Sequence, residues 1–587
     1  MRNDRGAMDG PPEPGASDAS PSRTRPFLTG GELAILGVVA LIPMLFALYT
    51  NNAWEDWYIT YRASKNLALG HGLVFTPGER VHSFTSPVGT LLPALLAYLT
   101  GCTSDDLVLW LYRAVSSLVL GATGVILFRV ARARGLGLPA TFVLIGLLAV
   151  DPKTVAFSIN GMESAFVVLF VALTVASLAV ASRRPALWLG VAWGGLMWTR
   201  PDGFIYGGAI AAGFLLFPRA VAGQVGRVEV LRRYALAAAV AAVIYAPWIL
   251  WAWSYYGTFV PHTIVAKGLH REGAEVWTRL RHYPYAFQAG NESTFQPAYH
   301  QSGGWPYLYL PEILPILCSF YWILPGGHPF GRAVSVAFLL SHVYLLGVVP
   351  FPFPWYWPGA TILAILAVAE ITEQLARRWK ALLPRRAVAP VMGSLVGLVM
   401  SLQLALLLAS AYQLRWQQAL IEDGHRKQIG LWLKANASSP RDTVLMECLG
   451  YIGYFSGLKT YDIPGTSSPE VVAARRRLGP AKDNMRWVIR DLKPDWVVLR
   501  PGEAANIHND DPELLTKVYR PARVFNVTER IRRLPYLPGR GFLKYDQEFR
   551  VYHKESSPLA RSGSSVSPRV DPGRFNQSSV QSSTGMP

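Results

Sequence analysis

Long apolar runs alternate with short basic stretches over the first 410 residues, and the alternation breaks off at Ala411. A helix needs roughly 20 consecutive apolar residues to cross a bilayer. The first such run covers 32–50, the next clear one 107–128, and the last 388–410. Arg129, Arg132 and Arg134, then Arg183-Arg184, Arg219 to Arg233, Arg332, and Arg377-Arg378 through Arg385-Arg386 all lie between runs. Basic residues mark cytosolic loops. These stretches share one side only if 87–101, a short run opened by Pro87, lies on the outer leaflet instead of crossing. The pattern then predicts about eleven spans. The N-terminus is inside, and the last span delivers the C-terminal part of the chain to the outer face of the cytoplasmic membrane.

Beyond Ala411 the periodicities change. Trp416, Leu420, Ile429 and Leu433 recur at helical spacing over 412–437. Short apolar runs at 443–446, 459–463, 495–500 and 549–553 are separated by turn residues and a basic helix near 473–477, which predicts a small α/β domain. Residues 1–27 and 556–587 are rich in Pro, Ser and Gly and are expected to be disordered tails. The expected organisation is therefore a cytosolic tail (1–27), an all-α polytopic membrane domain (28–410), an extracytoplasmic α/β domain (411–555) and a second tail (556–587). The first run lacks a small-residue cleavage site and reads as a retained anchor.

Composition sharpens this picture only slightly. Of 587 residues 51% are hydrophobic and 16% charged, as expected for a chain embedded in lipid. The net charge of +18 comes from the loops between runs, so it gives no reason to expect nucleic acid. Cys102, Cys318 and Cys448 have no metal-ligand spacing and support neither a disulfide framework nor a zinc site. The Asn-x-Ser/Thr matches at Asn291, Asn436, Asn526 and Asn576 are weak patterns.

The candidate chemistry falls on the outer face. Glu55 and Asp56 are adjacent acids directly after the first span, and Asp105, Asp106, Asp151, Glu163 and Asp202 follow in other outer loops. Arg62, Arg80, Lys153, Arg200 and Lys267 are the cations on that side. Transfer of a group from a lipid phosphate needs both signs: a carboxylate to take the proton of an acceptor hydroxyl, and cations to hold the departing phosphate. Arg200 and Asp202 sit in a Thr-Arg-Pro-Asp-Gly break that either lines a polar cavity or forms an ion pair locking the turn. Lys267 suits phosphate, and Tyr256 with its neighbours offers faces for sugar rings or an interfacial belt.

Several stretches together resemble a known family. Glu55-Asp56-Trp57-Tyr58-Ile59-Thr60, Gly70-His71-Gly72-Leu73-Val74-Phe75, Pro77-Gly78-Glu79-Arg80-Val81 and Thr85-Ser86-Pro87 look like the first outer loop of bacterial GT-C glycosyltransferases. The AftB-like terminal arabinofuranosyltransferases of mycobacterial cell walls are the group they resemble most. Asn160-Gly161-Met162-Glu163-Ser164, Thr199 to Gly203, Tyr256-Gly257-Thr258 with Ala266-Lys267, and Gly450 to Gly457 resemble further motifs of that group, in the same order.

The resemblance implies a GT-C fold with juxtamembrane helices in the first outer loop, and transfer from a polyprenyl-phosphate sugar to a cell-envelope glycan or glycolipid. It implies an acidic base that maps onto Asp56 or its neighbour Glu55; the expected assignment is Asp56 as general base, with Glu55 orienting the acceptor or sharing a divalent cation (Mg or Mn). Arg200, Lys267, Arg62 and Arg80 are the expected donor-phosphate ligands. Tyr58, His71, His82, Glu163, Asp202, Tyr256 and His262 are the expected substrate contacts. Glu55, Trp57, His82 and His262 depart from the family pattern, which leaves the sugar open. Two rival readings remain: a transporter or flippase for lipid-linked sugars, and another GT-C activity such as protein O-mannosylation.

Overall fold

The computed structural model describes residues 28–269, 273–282, 294–300, 303–306, 309–349, 352–535 and 538–555. The two predicted tails, Asn291 and Asn576 lie outside the described residues. The first helix, Gly30–Thr50, opens on a capping box: Thr29 Oγ1 accepts from Glu32 N at 3.3 Å, and the Glu32 carboxylate accepts from Thr29 N at 2.9 Å. It ends at Asn51 in the left-handed region (φ 45°), which turns the chain toward the acids.

Among the described residues, six helices are long and apolar enough to cross a membrane, seven if Leu138–Val150 and Pro152–Ile159, bent by 45°, form one span. The bend sits where Pro152 cannot donate a backbone hydrogen bond and Asp151 caps Thr154 N at 2.9 Å. Among the same residues four further apolar helices are shorter, among them Ser164–Ala179 and Pro87–Leu99, the latter not counted as a span in the sequence reading. Helices long enough to cross alone thus fall short of the expected number of about eleven. Pro87–Leu99 has 13 residues, about 20 Å at 1.5 Å per residue, against a hydrocarbon core of about 30 Å. It packs on Glu55–Ala68, where Ser64 Oγ donates to Thr90 O at 2.8 Å.

A buried arginine fixes the turn before the acids. Arg113 donates to Ile159 O (3.0 Å), Asn51 Oδ1 (2.9 Å) and Asn52 O (2.8 Å). Trp54 N then donates to Asn160 O at 2.8 Å. Gly161, at φ 98°, lies so close to Trp57 that a Cβ there would come within 2.6 Å of the ring. The Asn-Gly-Met-Glu stretch is therefore a seat for the helix that carries Asp56.

Helix Arg385–Gln417 runs on through a π-helical segment, Gln418–Arg426, into Lys427–Asn436 without a break, so the membrane part and the C-terminal domain share one rod. The domain's sheet has the order β2-β1-β3-β5-β4. β1 (Thr443–Met446) is parallel to β2 (Lys459–Asp462) and β3 (Trp496–Leu499). β5 (Glu548–Lys554) is antiparallel to β3 and to β4 (Tyr519–Asn526). Alternate residues serve opposite layers: Leu445, Val497 and Leu499 pack with Val471, Val488 and Ile507, while Val444, Met446 and Val498 pack with Ile429 and Leu433. β4 is absent from the sequence-based reading. It carries Arg520, Pro521 and Arg523 and is exposed beyond Tyr519, as an edge strand tolerates.

Candidate active site

A cavity of about 700 Å³ opens between the membrane helices and the C-terminal domain. Trp54, Glu55, Asp56 and Ile59 enter it from the start of Glu55–Ala68, and Lys267 from the short helix His262–Gly268. Tyr299, Phe353, Trp355 and Phe542 make an aromatic side, with Tyr299 stacked on Phe542 at 4.5 Å and Phe353 on Trp355 at 4.6 Å. Arg426, Glu447, Asp462, Thr466, Arg500 and Asp546 come from the C-terminal domain.

The adjacent acids are treated differently. Among the described residues no hydrogen bond or ion pair reaches the Asp56 carboxylate. Burial pushes it up to about 6; Lys267 and Arg200 oppose that shift, and Glu163 and Glu447 add to it. Glu55 instead faces Arg426, and its Oε1 accepts from Gly450 N at 3.2 Å. Gly450 is required there, because a Cβ would lie 2.1 Å from Glu55 O. Arg426 is shared with Glu422 and Asp546, and Asp546 is shared in turn with Arg500. One guanidinium cannot neutralise three carboxylates, and burial holds the Glu55 carboxyl above its ordinary range. Asp546, also buried but held by both arginines, is brought below its ordinary value. Glu55 is thus part of the seam between domains, and the pair does not present two free carboxylates to a divalent cation. Among the described residues no group of three or more His, Cys, Asp or Glu is arranged to hold a metal ion.

The expected phosphate ligands separate. Lys267 lines the cavity, its Nζ 5.2 Å from the Phe353 ring centroid, and no carboxylate pairs with it among the described residues. Arg200 lies beneath, filled by Glu163 at 2.8 Å and by both oxygens of Asp202 at 2.9 and 3.3 Å. The ion-pair reading of the Thr-Arg-Pro-Asp-Gly break therefore holds, and Glu163 and Asp202 serve Arg200.

Arg62 is elsewhere. It donates to the carbonyls of Gly453 (2.7 Å), Leu458 (3.1 Å) and Gly457 (3.3 Å), pinning the Gly450–Ser456 helix of the C-terminal domain. The expected contact with the donor phosphate is corrected: Arg62 does not line the cavity, and three of its five N–H donors are taken by those carbonyls. Arg80 is exposed over Tyr255 and does not line the cavity.

Of the expected substrate contacts, Tyr58 turns to the other side of its helix, against Tyr451 and Tyr454. His71 is exposed and away from the cavity. His82 is buried and stacked on Tyr256 at 4.7 Å, burial lowering it to about 4, while Tyr256 Oη donates to Leu73 O at 2.6 Å. His262 N donates to His82 O at 2.8 Å. These three buttress the helix of Lys267 instead of lining the cavity. Arg426, Arg500, Asp546 and the aromatic side were absent from the sequence reading. Glu422 and Arg426 lie four apart on a helix, which in a sequence looks like an ordinary surface pair.

Comparison with known proteins agrees with this architecture. Residues 411–552 match a family described as "Domain of unknown function (DUF8728)". The chain is 28% identical over 260 residues to a terminal β-(1→2)-arabinofuranosyltransferase of Corynebacterium glutamicum, covering 39% of this chain and 36% of that protein. It is 26% identical over 234 residues to the enzyme of the same description from Mycobacterium tuberculosis, covering 36% and 34%. The matches thus span about a third of these relatives. The structure superposes on ArnT from Cupriavidus metallidurans in the apo state with a TM-score of 0.51 at 14% identity, covering 89% of this chain and 97% of ArnT. The same enzyme bound to undecaprenyl phosphate gives 0.50 at 13% identity, covering 90% and 99%. The chain therefore has the fold of the GT-C membrane glycosyltransferases and a sequence similar to AftB-like terminal arabinofuranosyltransferases.

Proposed function

We propose that the protein is a membrane glycosyltransferase that moves a sugar from a polyprenyl-phosphate donor to a cell-envelope glycan or glycolipid. The observation that carries this reading is the pairing, in one cavity, of a raised carboxylate with a cation, Asp56 and Lys267, neither in an ion pair among the described residues. The relatives' description supports the reaction class, and the lipid held by ArnT supports a polyprenyl phosphate. The donor's prenyl chain enters between the apolar helices, and its phosphate meets Lys267. The acceptor hydroxyl gives its proton to Asp56 as its oxygen bonds to the sugar's anomeric carbon. The bond from that carbon to the phosphate oxygen breaks, and its electron pair leaves on the phosphate, where Lys267 compensates the charge. Arg200, already neutralised by Glu163 and Asp202, sets the field beneath Asp56. The C-terminal domain covers the acceptor's side of the cavity.

This reading puts the cavity on the outer face of the cytoplasmic membrane, with a cytosolic N-terminus, about eleven membrane segments and a domain boundary near 410. The test uses the purified protein in lipid nanodiscs with labelled polyprenyl-phosphate arabinose and a cell-wall arabinan acceptor. Wild type is expected to transfer label and Asp56→Asn to transfer about 10²–10⁴-fold more slowly. Unchanged transfer by Asp56→Asn would remove Asp56 as the base.

A further inference from the structure

The helix that carries Lys267 has 7 residues, His262–Gly268. A helix this short has little stability of its own, so its place is set by what holds its ends. Its start is tied down by His262 N donating to His82 O. Its end is tied to the C-terminal domain. Arg475, in the helix Pro469–Leu478, donates from Nη1 to Ala266 O at 3.2 Å and to Pro464 O at 2.8 Å. Its Nε and Nη2 are fixed on the two oxygens of Asp483 at 2.6 and 2.7 Å, so the guanidinium has little freedom to turn. Ala266 is the residue before Lys267, and helix-end carbonyls lack partners within the helix.

The other carbonyl held by the same Nη1 belongs to the loop at 462–466, which lines the cavity. That loop is itself stiff: the Asp462 carboxylate accepts from Gly465 N at 3.2 Å, Ser467 N at 2.9 Å and Ser468 Oγ at 2.9 Å. One side chain thus couples the cation of the membrane domain to a rigid cavity wall of the C-terminal domain.

We propose that Arg475 is a positioning residue that holds Lys267 where the phosphate of the lipid donor binds, which gives the C-terminal domain a part in donor binding. The inference rests on the proposed role of Lys267. It implies that Arg475 has no effect once Lys267 is gone.

A double-mutant cycle on undecaprenyl phosphate binding tests this, with the full chain in nanodiscs. Lys267→Met is expected to weaken binding about tenfold, and Arg475→Gln by nearly as much, the equivalent of one charge-assisted contact. The double variant is expected to bind like Lys267→Met alone, and Arg475→Lys to recover part of the loss. Arg477→Gln, on the exposed side of the same helix against Asp491, is expected to bind like wild type. Wild-type binding by Arg475→Gln, or additive losses in the double variant, would overturn the proposal. If Lys267→Met binds as tightly as wild type, the phosphate assignment falls and the positioning role falls with it. Should Arg475→Gln fail to fold, Asp483→Asn keeps the guanidinium but loosens its anchor. It is expected to weaken binding severalfold in the Lys267 background and not in Lys267→Met; no weakening there would again overturn the proposal.

Discussion

The seam between the domains and the floor of the cavity are both charged, yet they are built on opposite rules. In the seam Arg426 and Arg500 bind Glu55, Glu422, Asp546, Glu447 and Glu503, so each carboxylate touches a guanidinium. On the floor Asp56 and Lys267 have no ion pair among the described residues. A filled network fixes geometry, whereas a half-buried carboxylate such as Asp56, left without a partner among the described residues, is costly and persists where chemistry uses it. Glu55 and Asp56 stand next to each other in the chain and fall on different sides of this divide, so adjacency in sequence does not make them one catalytic unit.

Replacing one residue on each side separates the two rules most strongly. Asp56→Asn is expected to slow transfer about 10²–10⁴-fold and to leave the fold intact. Arg426→Met leaves Glu55 and Glu422 without their cation and Asp546 with Arg500 alone, and thermal or denaturant unfolding is expected to show a loss of about 3–5 kcal/mol. If Asp56→Asn unfolds the protein, or Arg426→Met leaves its melting unchanged, the division is wrong.

The pH dependence gives a smaller and more specific contrast. Asp56 must be ionised to act as base, so kcat/KM is expected to rise with pH through about 6 and then level off, a limb that Asp56→Asn lacks. Stability runs the other way. The folded protein raises this carboxyl from 3.8 to about 6, so the ionised form costs stability, fully above about 6 and not at all below 3.8. Asp56→Asn should therefore melt higher than wild type near neutral pH, and the gap should close in acid. Scanning calorimetry at several pH values would check the sign.

At the bottom of the scale stands Arg80, exposed and away from the cavity. Arg80→Ala should leave the donor KM within about twofold of wild type. A larger rise in a steady-state assay would put Arg80 on the phosphate after all.

The floor was more legible in the sequence than the seam, for a physical reason. Asp56 and Lys267 stood out because charges beside apolar runs have few structural uses, and the positive-inside pattern placed them on one face. The four predicted strands correspond to β1, β2, β3 and β5; in β1, β3 and β5 the apolar residues that marked them are buried, whereas β2 buries Thr460 and Asp462. The seam was hidden because charge pairs acquire burial only when distant parts of the chain dock. Nothing local distinguishes Arg426, whose partners include residues 371 and 120 positions away, from a surface arginine. Arg62 shows the converse: its charge suggested phosphate, but its partners are carbonyls of a domain nearly 400 residues further on.

The most direct test is a map of the protein with undecaprenyl phosphate bound. The phosphate is expected beside Lys267, within the cavity and facing Asp56, with the prenyl chain running between the apolar helices. A phosphate held by Arg62 or Arg80, or one on the opposite side of the membrane from Asp56, would contradict the assignment of this cavity as the site of transfer.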